Sequence, residues 1–175
     1  MRPFGAAYWG LVAATVLVYA AMVFWSLPGV MAGAGGLVPF DMRPGGYSAE
    51  AARAFLAALD PAATARYLRV QHLLDTLFPP LMAASMALPF WWLGAGWPGL
   101  LRAGLTALPV LAGLADWAEN GLVRAMLLAG PDGVSDGLIG WASLATVTKS
   151  ALTASASVLL MILAGARLWR RWRAR

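Results

Sequence analysis

The stretch FGAAYWGLVAATVLVYAAMVFWSL, residues 4–27, is predominantly apolar and carries no charged side chain. A helix of this length rises about 36 Å at about 1.5 Å per residue, which is enough to cross a hydrocarbon core of about 30 Å. We therefore predict that the segment spans a membrane. The alternative is a signal peptide cleaved near Ala32-Gly33-Ala34, but the apolar region of a signal peptide is only about 7 to 15 residues long.

The rest of the chain shares this apolar character. Of its 175 residues, 61% are hydrophobic and 12% are charged, and the mean hydropathy is +0.69. These values lie outside the range of soluble domains. We predict an all-α fold in which residues 1–175 form a single domain, a polytopic four-helix transmembrane bundle. The predicted spans are about 4–27, 70–93, 103–128 and 138–165.

The arginines predict how these spans are oriented. The C-terminal tail carries Arg167, Arg170, Arg171, Arg173 and Arg175. Arg102 lies between the second and third spans, whereas the connection between the third and fourth carries only Asp132 and Asp136. Because cytoplasmic segments retain basic residues, both termini are predicted to be cytoplasmic, although Arg43, Arg53, Arg66 and Arg69 of the first loop oppose this orientation. The composition, rich in alanine and arginine, is compatible with a bacterial inner membrane.

The basic tail also bears on the partners of the chain. It accounts for much of the sequence pI of about 10.4. Arginines that directly follow a span are typical of an anchor at the lipid headgroups, so membrane lipids are predicted partners and nucleic acid is not.

The loop of residues 28–69 is predicted to contain a short amphipathic helix at about 49–59, on the extracytoplasmic side. Ser48 is a plausible N-cap for it, and Asp60-Pro61 is a second N-cap with proline at the first helical position. The short helix is either a lid over an outward-facing cavity or a surface connection between two spans. Residues 41–44 are interpreted as a turn, with no chemistry attached to them.

Charged side chains inside the predicted spans are the candidates for function. Each would cost about 2.5 to 3.5 kcal/mol if left alone at the centre of a bilayer, so they must face the bundle interior and find partners. Counting residues from the span ends places Glu119 level with Lys149, and Asp75 level with Arg124 nearer the outer surface. The sequence therefore predicts two tiers of charge pairs.

The acids outnumber the bases within the spans, since Asp75, Asp116 and Glu119 face only Arg124 and Lys149. An unpaired carboxyl in an apolar site tends to hold a proton, which suits acid/base chemistry or hydrogen bonding to a ligand, and Asp116 is the first candidate for this role. The predicted catalytic residues are Asp116, Glu119 and Lys149. The predicted ligand-binding residues are Asn120, Arg124, Asp75, His72, Thr146 and Ser150. The competing interpretation is an ion-pair network that only fixes helix register.

Other observations limit the chemistry. The chain has no cysteine and a single histidine, His72, so thiol chemistry is excluded and neither a metal site nor a cofactor is predicted. His72 is a candidate proton shuttle or axial haem or chlorophyll ligand, but a solvated or hydrogen-bonded histidine is the commoner case. Small residues recur every fourth position at Ala142, Thr146, Ser150 and Ala154, a pattern that permits close helix approach.

Several short motifs occur together along most of the chain: Gly46-Tyr47-Ser48, Arg66-Tyr67, Asp75 with Phe78-Pro79, Asp116-Trp117-Ala118-Glu119-Asn120 and Thr148-Lys149. This combination resembles that of small four-helix bacterial inner-membrane proteins. The resemblance implies the four-helix fold and carries no activity with it. In topology alone the chain is similar to the sterol-isomerase-like four-helix membrane proteins, which use intramembrane acids around a lipophilic ligand, but the residue patterns differ.

Three functions follow as alternatives. The first is an intramembrane acid/base site that binds a lipophilic small molecule, either as a binding protein or as an enzyme. The second is an accessory or assembly subunit that pairs with another membrane protein or with copies of itself. The third is a proton-coupled transporter, which four helices without an internal repeat make harder to build.

Overall fold

The computed structural model describes residues 5–173, and four long helices dominate it. Their bounds, from the first to the fourth, are Ala6–Ala32, Pro61–Leu93, Gly99–Gly133 and Asp136–Arg173. All four are long and apolar enough to cross a membrane. A short helix, Ala49–Ala58, lies between the first and second, and we call it the loop helix.

The long helices extend beyond the predicted spans. The second begins at Pro61 instead of near residue 70, and the fourth continues to Arg173 instead of ending near residue 165. The predicted spans stop where charged residues begin, but a helical backbone continues until a cap or a breaker ends it. The predicted cap at Asp60 is confirmed, since its Oδ1 accepts the Ala63 N–H at 2.7 Å with Pro61 in the first turn.

Consecutive helices are neighbours in the bundle. The first packs on the second, the second on the third, and the third on the fourth. Residues 94–98 and 134–135 are the short connections that make the last three antiparallel. The longer segment 33–60 closes one end of the bundle, which we call the loop end.

The second long helix contains three prolines, Pro79, Pro80 and Pro89. They free backbone carbonyl oxygens to accept hydrogen bonds from neighbouring helices. A proline nitrogen cannot donate to the carbonyl four residues earlier, so each proline leaves one carbonyl oxygen without its helical partner. The carbonyls of Asp75, Thr76 and Ser85 accept instead from Asn120 Nδ2 at 2.8 Å, Trp117 Nε1 at 3.0 Å and Tyr8 Oη at 3.1 Å, respectively. The donors come from the third and first helices, so these bonds hold both helices in register with the second.

The packed apolar core lies at the loop end. Phe40, Phe55 and Tyr67 are almost completely buried there, with ring centroids 4.8 Å apart for Phe40 and Phe55 and 6.3 Å apart for Phe55 and Tyr67. The loop helix buries Ala52, Phe55 and Leu56 and packs against the third and fourth long helices. It is therefore part of the core of the loop end and not a loose connection.

The outer surface of the bundle is apolar. Leu17, Phe24 and Leu100 are 70%, 79% and 89% exposed, whereas Asp75, Glu119 and other polar residues are buried. Soluble monomers rarely expose large contiguous apolar surfaces. The arrangement is compatible with a multi-pass membrane protein.

Candidate functional site

Lys149 of the fourth helix is held between two carboxylates of the third. Its Nζ lies 2.9 Å from Asp116 Oδ1 and also contacts Glu119 Oε2. The side chains are 17%, 11% and 0% exposed for Lys149, Asp116 and Glu119, respectively. The structure thus brings together the three residues predicted as catalytic, and it places both acids on the same cation.

A hydroxyl completes the arrangement around Glu119. Thr146 Oγ1, fully buried on the fourth helix, lies 2.5 Å from Glu119 Oε1 and 3.0 Å from the Ala142 carbonyl oxygen. Ala142 is also fully buried and belongs to the apolar core cluster at the loop end. Glu119 therefore contacts Thr146 through one carboxylate oxygen and Lys149 through the other.

A cavity of about 710 Å³ opens beside this cluster. Its apolar wall comes from the first and second helices and includes Tyr19, Met22, Phe78, Met82 and Met86. Its polar wall comes mainly from the fourth helix and consists of Lys149, Ser150, Thr153 and Ser157, with Asp116 beside them. The volume lies in the range of small-molecule sites, which are mostly apolar with a few polar groups at fixed positions.

The predicted site residues divide around this cavity. Asp116, Lys149 and Ser150 line it, whereas Glu119 and Thr146 lie behind the wall. The remaining predicted ligand-binding residues line a separate cavity of about 10 Å³; they are His72, Asp75, Asn120 and Arg124. The residues predicted to bind a ligand are thus divided between two cavities, with Thr146 in neither lining.

Asp75 and Arg124 do not form the predicted pair. Arg124 is exposed, and within residues 5–173 the structure contains no ion pair between them. Asp75 instead accepts a hydrogen bond from Gln71 Nε2 at 2.8 Å. The prediction that Asp116 is the acid without a cation is also wrong, because Asp116 contacts Lys149 and Asp75 is the acid left over.

Asp41 is a site residue that the sequence interpretation missed. It lies in the first loop, lines the larger cavity and accepts a hydrogen bond from the fully buried Tyr67 hydroxyl. Residues 41–44 look like an ordinary turn in the sequence, and no spacing rule links residue 41 to residue 149. Only the folding of the first loop over the bundle brings this carboxylate to the cavity.

Gly46 and Tyr47 attach the first loop to the fourth helix. The Tyr47 N–H donates to Ser143 Oγ at 2.8 Å. Gly46 has a φ of 82°, and a Cβ at this position would lie 2.6 Å from the same Ser143 oxygen, so glycine is required for both conformation and space. Burial raises the pKa of the Tyr47 phenol, which keeps it protonated and uncharged next to the acidic cluster.

Within residues 5–173, no group of three or more histidine, cysteine, aspartate or glutamate side chains is arranged to hold a metal ion. Lys149 offers a charged hydrogen-bond donor, Asp116 an acceptor, and the serine and threonine hydroxyls both. Comparison of the chain with protein-family models, curated proteins and solved structures found no match in any of the three.

Proposed function

We propose that the chain is an integral membrane protein that binds a lipophilic small molecule in the cavity of about 710 Å³ beside Asp116 and Lys149. In this proposal the four long helices span a bacterial inner membrane, with both termini in the cytoplasm. The observation that carries the proposal is the cavity itself, which combines a wall of methionine and aromatic side chains with one buried charge pair. A purely structural ion pair does not need an adjoining space of this size.

The side chains of the two walls indicate which ligands suit the cavity. The apolar wall, with Met22, Met82 and Met86, favours a hydrophobic body, since methionine adapts to irregular shapes. On the opposite wall, Lys149 and Asp116 favour a polar end that accepts one hydrogen bond and donates another, as a hydroxyl does. The proposed ligand is therefore a mostly apolar molecule with one hydroxyl or carbonyl end.

The same pair supplies a route to chemistry. Asp116 touches the cavity and is oriented by Lys149 at 2.9 Å, so it is the group that would exchange a proton with a bound molecule. Glu119 does not line the cavity and acts through Lys149 as a positioning residue. If the protein is an enzyme, Asp116 is its acid or base, and the reaction is a proton transfer at the polar end of the ligand.

The accessory-subunit alternative has an observation of its own. Leu144, Val158, Met161 and Ile162 of the fourth helix are 54%, 50%, 65% and 58% exposed, and such a face suits either lipid or another membrane helix. The small-residue repeat gives this alternative less support than expected, because Ala142 and Thr146 are buried inside the chain and Ser150 lines the cavity.

Native mass spectrometry of protein extracted in discs of its own membrane tests the proposal. Ser150→Leu would place a bulky side chain in the cavity, while Ser155→Leu makes the same change at an exposed position of the same helix. We expect a discrete lipophilic molecule on the wild type and on Ser155→Leu, and at least about tenfold less of it on Ser150→Leu and Asp116→Asn, a loss equivalent to about 1.4 kcal/mol.

Three outcomes would overturn the proposal. One is equal occupancy in all four proteins. Another is a wild type that carries only bulk phospholipid. The third is a protein partner at fixed stoichiometry without a small molecule, which would support the accessory-subunit alternative. Uptake of a solute into vesicles, driven by a proton gradient, would favour the transporter instead.

A further inference from the structure

Asp75 is a buried carboxyl, and within residues 5–173 it forms no ion pair with a cation. It is 5% exposed, and its one side-chain hydrogen bond comes from Gln71 Nε2. Within the described residues, the other interior acids have closer partners. Asp116 and Glu119 share Lys149, and Asp41 accepts a hydrogen bond from the Tyr67 hydroxyl. A buried carboxylate without a counter-charge is costly, and taking up a proton is the usual way to remove that cost.

The surroundings of Asp75 contain too many acceptors. Gln71 Oε1 and Asn120 Oδ1 are buried acceptors that have no hydrogen-bond partner within residues 5–173. Ser26 Oγ is also buried without a partner, but a hydroxyl can either donate or accept. The amides of Gln71 and Asn120 are both bonded to Asp75, one to its side chain and one to its carbonyl. An ionised Asp75 would add only acceptors, whereas a protonated Asp75 and a water molecule would supply the missing donors.

The backbone close to Asp75 contains irregular helical turns. The first and second long helices each contain a π-helical turn, Met22–Ser26 and Tyr67–Gln71, and the two turns contact each other. On one side of them Gly29 approaches Arg66, and on the other Tyr19 packs on Phe78. This register puts Ser26 level with Gln71, the last residue of the other turn. Single π turns inside α-helices are frequent at functional sites.

A small cavity links Asp75 to the outside. Its volume of about 10 Å³ is close to the minimum for one water molecule. It is lined by Asp75 and Asn120 on the inside and by His72 and Arg124, which are partly and largely exposed, on the outside. A water molecule here would have polar partners on both sides, so it would connect the carboxyl to the surface.

We propose that Asp75 is a proton-binding site, loaded from the His72 side through a water molecule in the small cavity. In the loading step a hydronium ion or the His72 imidazolium gives up a proton, the water passes one on, and an O–H bond forms on Asp75; release is the reverse. Gln71 accommodates both states, because its amide donates to the carboxylate and, rotated by half a turn, accepts from the acid.

The charged groups around Asp75 act in opposite directions. Those that face it are Asp41, Tyr67, His72, Asp116, Arg124 and Lys149. Asp41 and Asp116 are acids, and the cation Lys149 is already engaged by the carboxylates of Asp116 and Glu119. Asp75 does not line the larger cavity, but Asp41, Asp116 and Lys149 do, so a ligand in that cavity would act on Asp75 only through these charges.

Infrared spectroscopy of the full chain in lipid discs tests this proposal, because a protonated carboxyl has a C=O stretch well separated from that of a carboxylate. We expect such a band at neutral pH, shifted by deuterium oxide, lost in Asp75→Asn and retained in Asp136→Asn. The control replaces an exposed aspartate whose partner is Arg53 at the surface. Gln71→Leu should keep the band and move it to higher frequency, because the carboxyl loses a hydrogen bond.

The same experiment can overturn the proposal. The absence of a protonated-carboxyl band from the wild type would do so, as would a band of equal intensity in Asp75→Asn. If Asp75→Asn does not fold, the Gln71→Leu protein decides the question, since a band that does not respond to this change belongs to another carboxyl.

Discussion

A carbonyl that a proline leaves unpaired within a helix should depend on a hydrogen-bond donor from a neighbouring helix. Pro80 and Trp117 allow the free energy of this dependence to be measured. Pro80 leaves the Thr76 carbonyl without a helical donor, and Trp117 Nε1 supplies one at 3.0 Å. Pro80 and Trp117 are both exposed, Trp117 to 46%, so replacing them opens less space than a change in the core would. Trp117→Phe removes the donor, and Pro80→Ala restores the helical N–H.

The expected magnitudes follow from the cost of an unpaired carbonyl in apolar surroundings, about 1 to 3 kcal/mol. Trp117→Phe should cost about that much in the native background. In the Pro80→Ala background it should cost about 0.5 kcal/mol, because the carbonyl keeps a donor. The predicted coupling free energy is therefore about 0.5 to 2.5 kcal/mol.

Equilibrium unfolding of the four proteins measures this coupling. A denaturing detergent titrated into mixed micelles, with helix content followed by circular dichroism, avoids dependence on tryptophan fluorescence. Far-separated, independent changes add within about 0.3 to 0.5 kcal/mol. If Trp117→Phe costs the same in both backgrounds to within this margin, the hydrogen bond from Trp117 does not compensate for Pro80, and the account of the prolines given above is wrong.

Two further predictions concern the charge cluster and the first loop. Lys149→Met should lower the free energy of unfolding by about 3 to 5 kcal/mol, because it leaves two buried carboxylates without a cation. Glu119→Gln should lower it by less, since Lys149 still pairs with Asp116. Equal losses for the two variants in detergent unfolding would contradict the shared-cation geometry. Gly33→Ala should destabilise by about 1 to 3 kcal/mol, because its Cβ would overlap Ala63. Gly10→Ala, with open space around it, should be neutral or slightly stabilising in thermal unfolding; equal melting temperatures would contradict the close packing at Gly33.

Part of the site could be predicted from helical spacing and depth. Lys149 lies in the fourth helix at the level of Glu119 in the third, so their contact follows from counting residues along two antiparallel helices. The partner of Asp75 could not be predicted in this way. Arg124 stands at the right depth but is exposed, and a long side chain on a helix edge can turn outward to the surface.

The first loop marks the limit of the sequence argument. Its caps at Ser48 and Asp60 are local hydrogen bonds, between a side chain and a backbone N–H three residues on, and local bonds are encoded in short motifs. No short motif of this kind predicts that Asp41 lies at the larger cavity. It depends on Phe40 and Phe55 packing against Tyr67, contacts between residues far apart in the chain.

By itself, the sequence determined that this chain forms four long apolar helices whose charged residues must face one another, because the spacing of apolar and ionisable side chains along a helix is fixed by 3.6 residues per turn. Only the tertiary structure decided which of those charges meet. Among residues 5–173, Asp116 and Glu119 share Lys149, Asp75 has no ion-pair partner, and Asp41 reaches the larger cavity from the first loop. The physical reason is that pairing depends on the rotation of each helix and on the path of the first loop, and both are set by packing contacts among all the helices together.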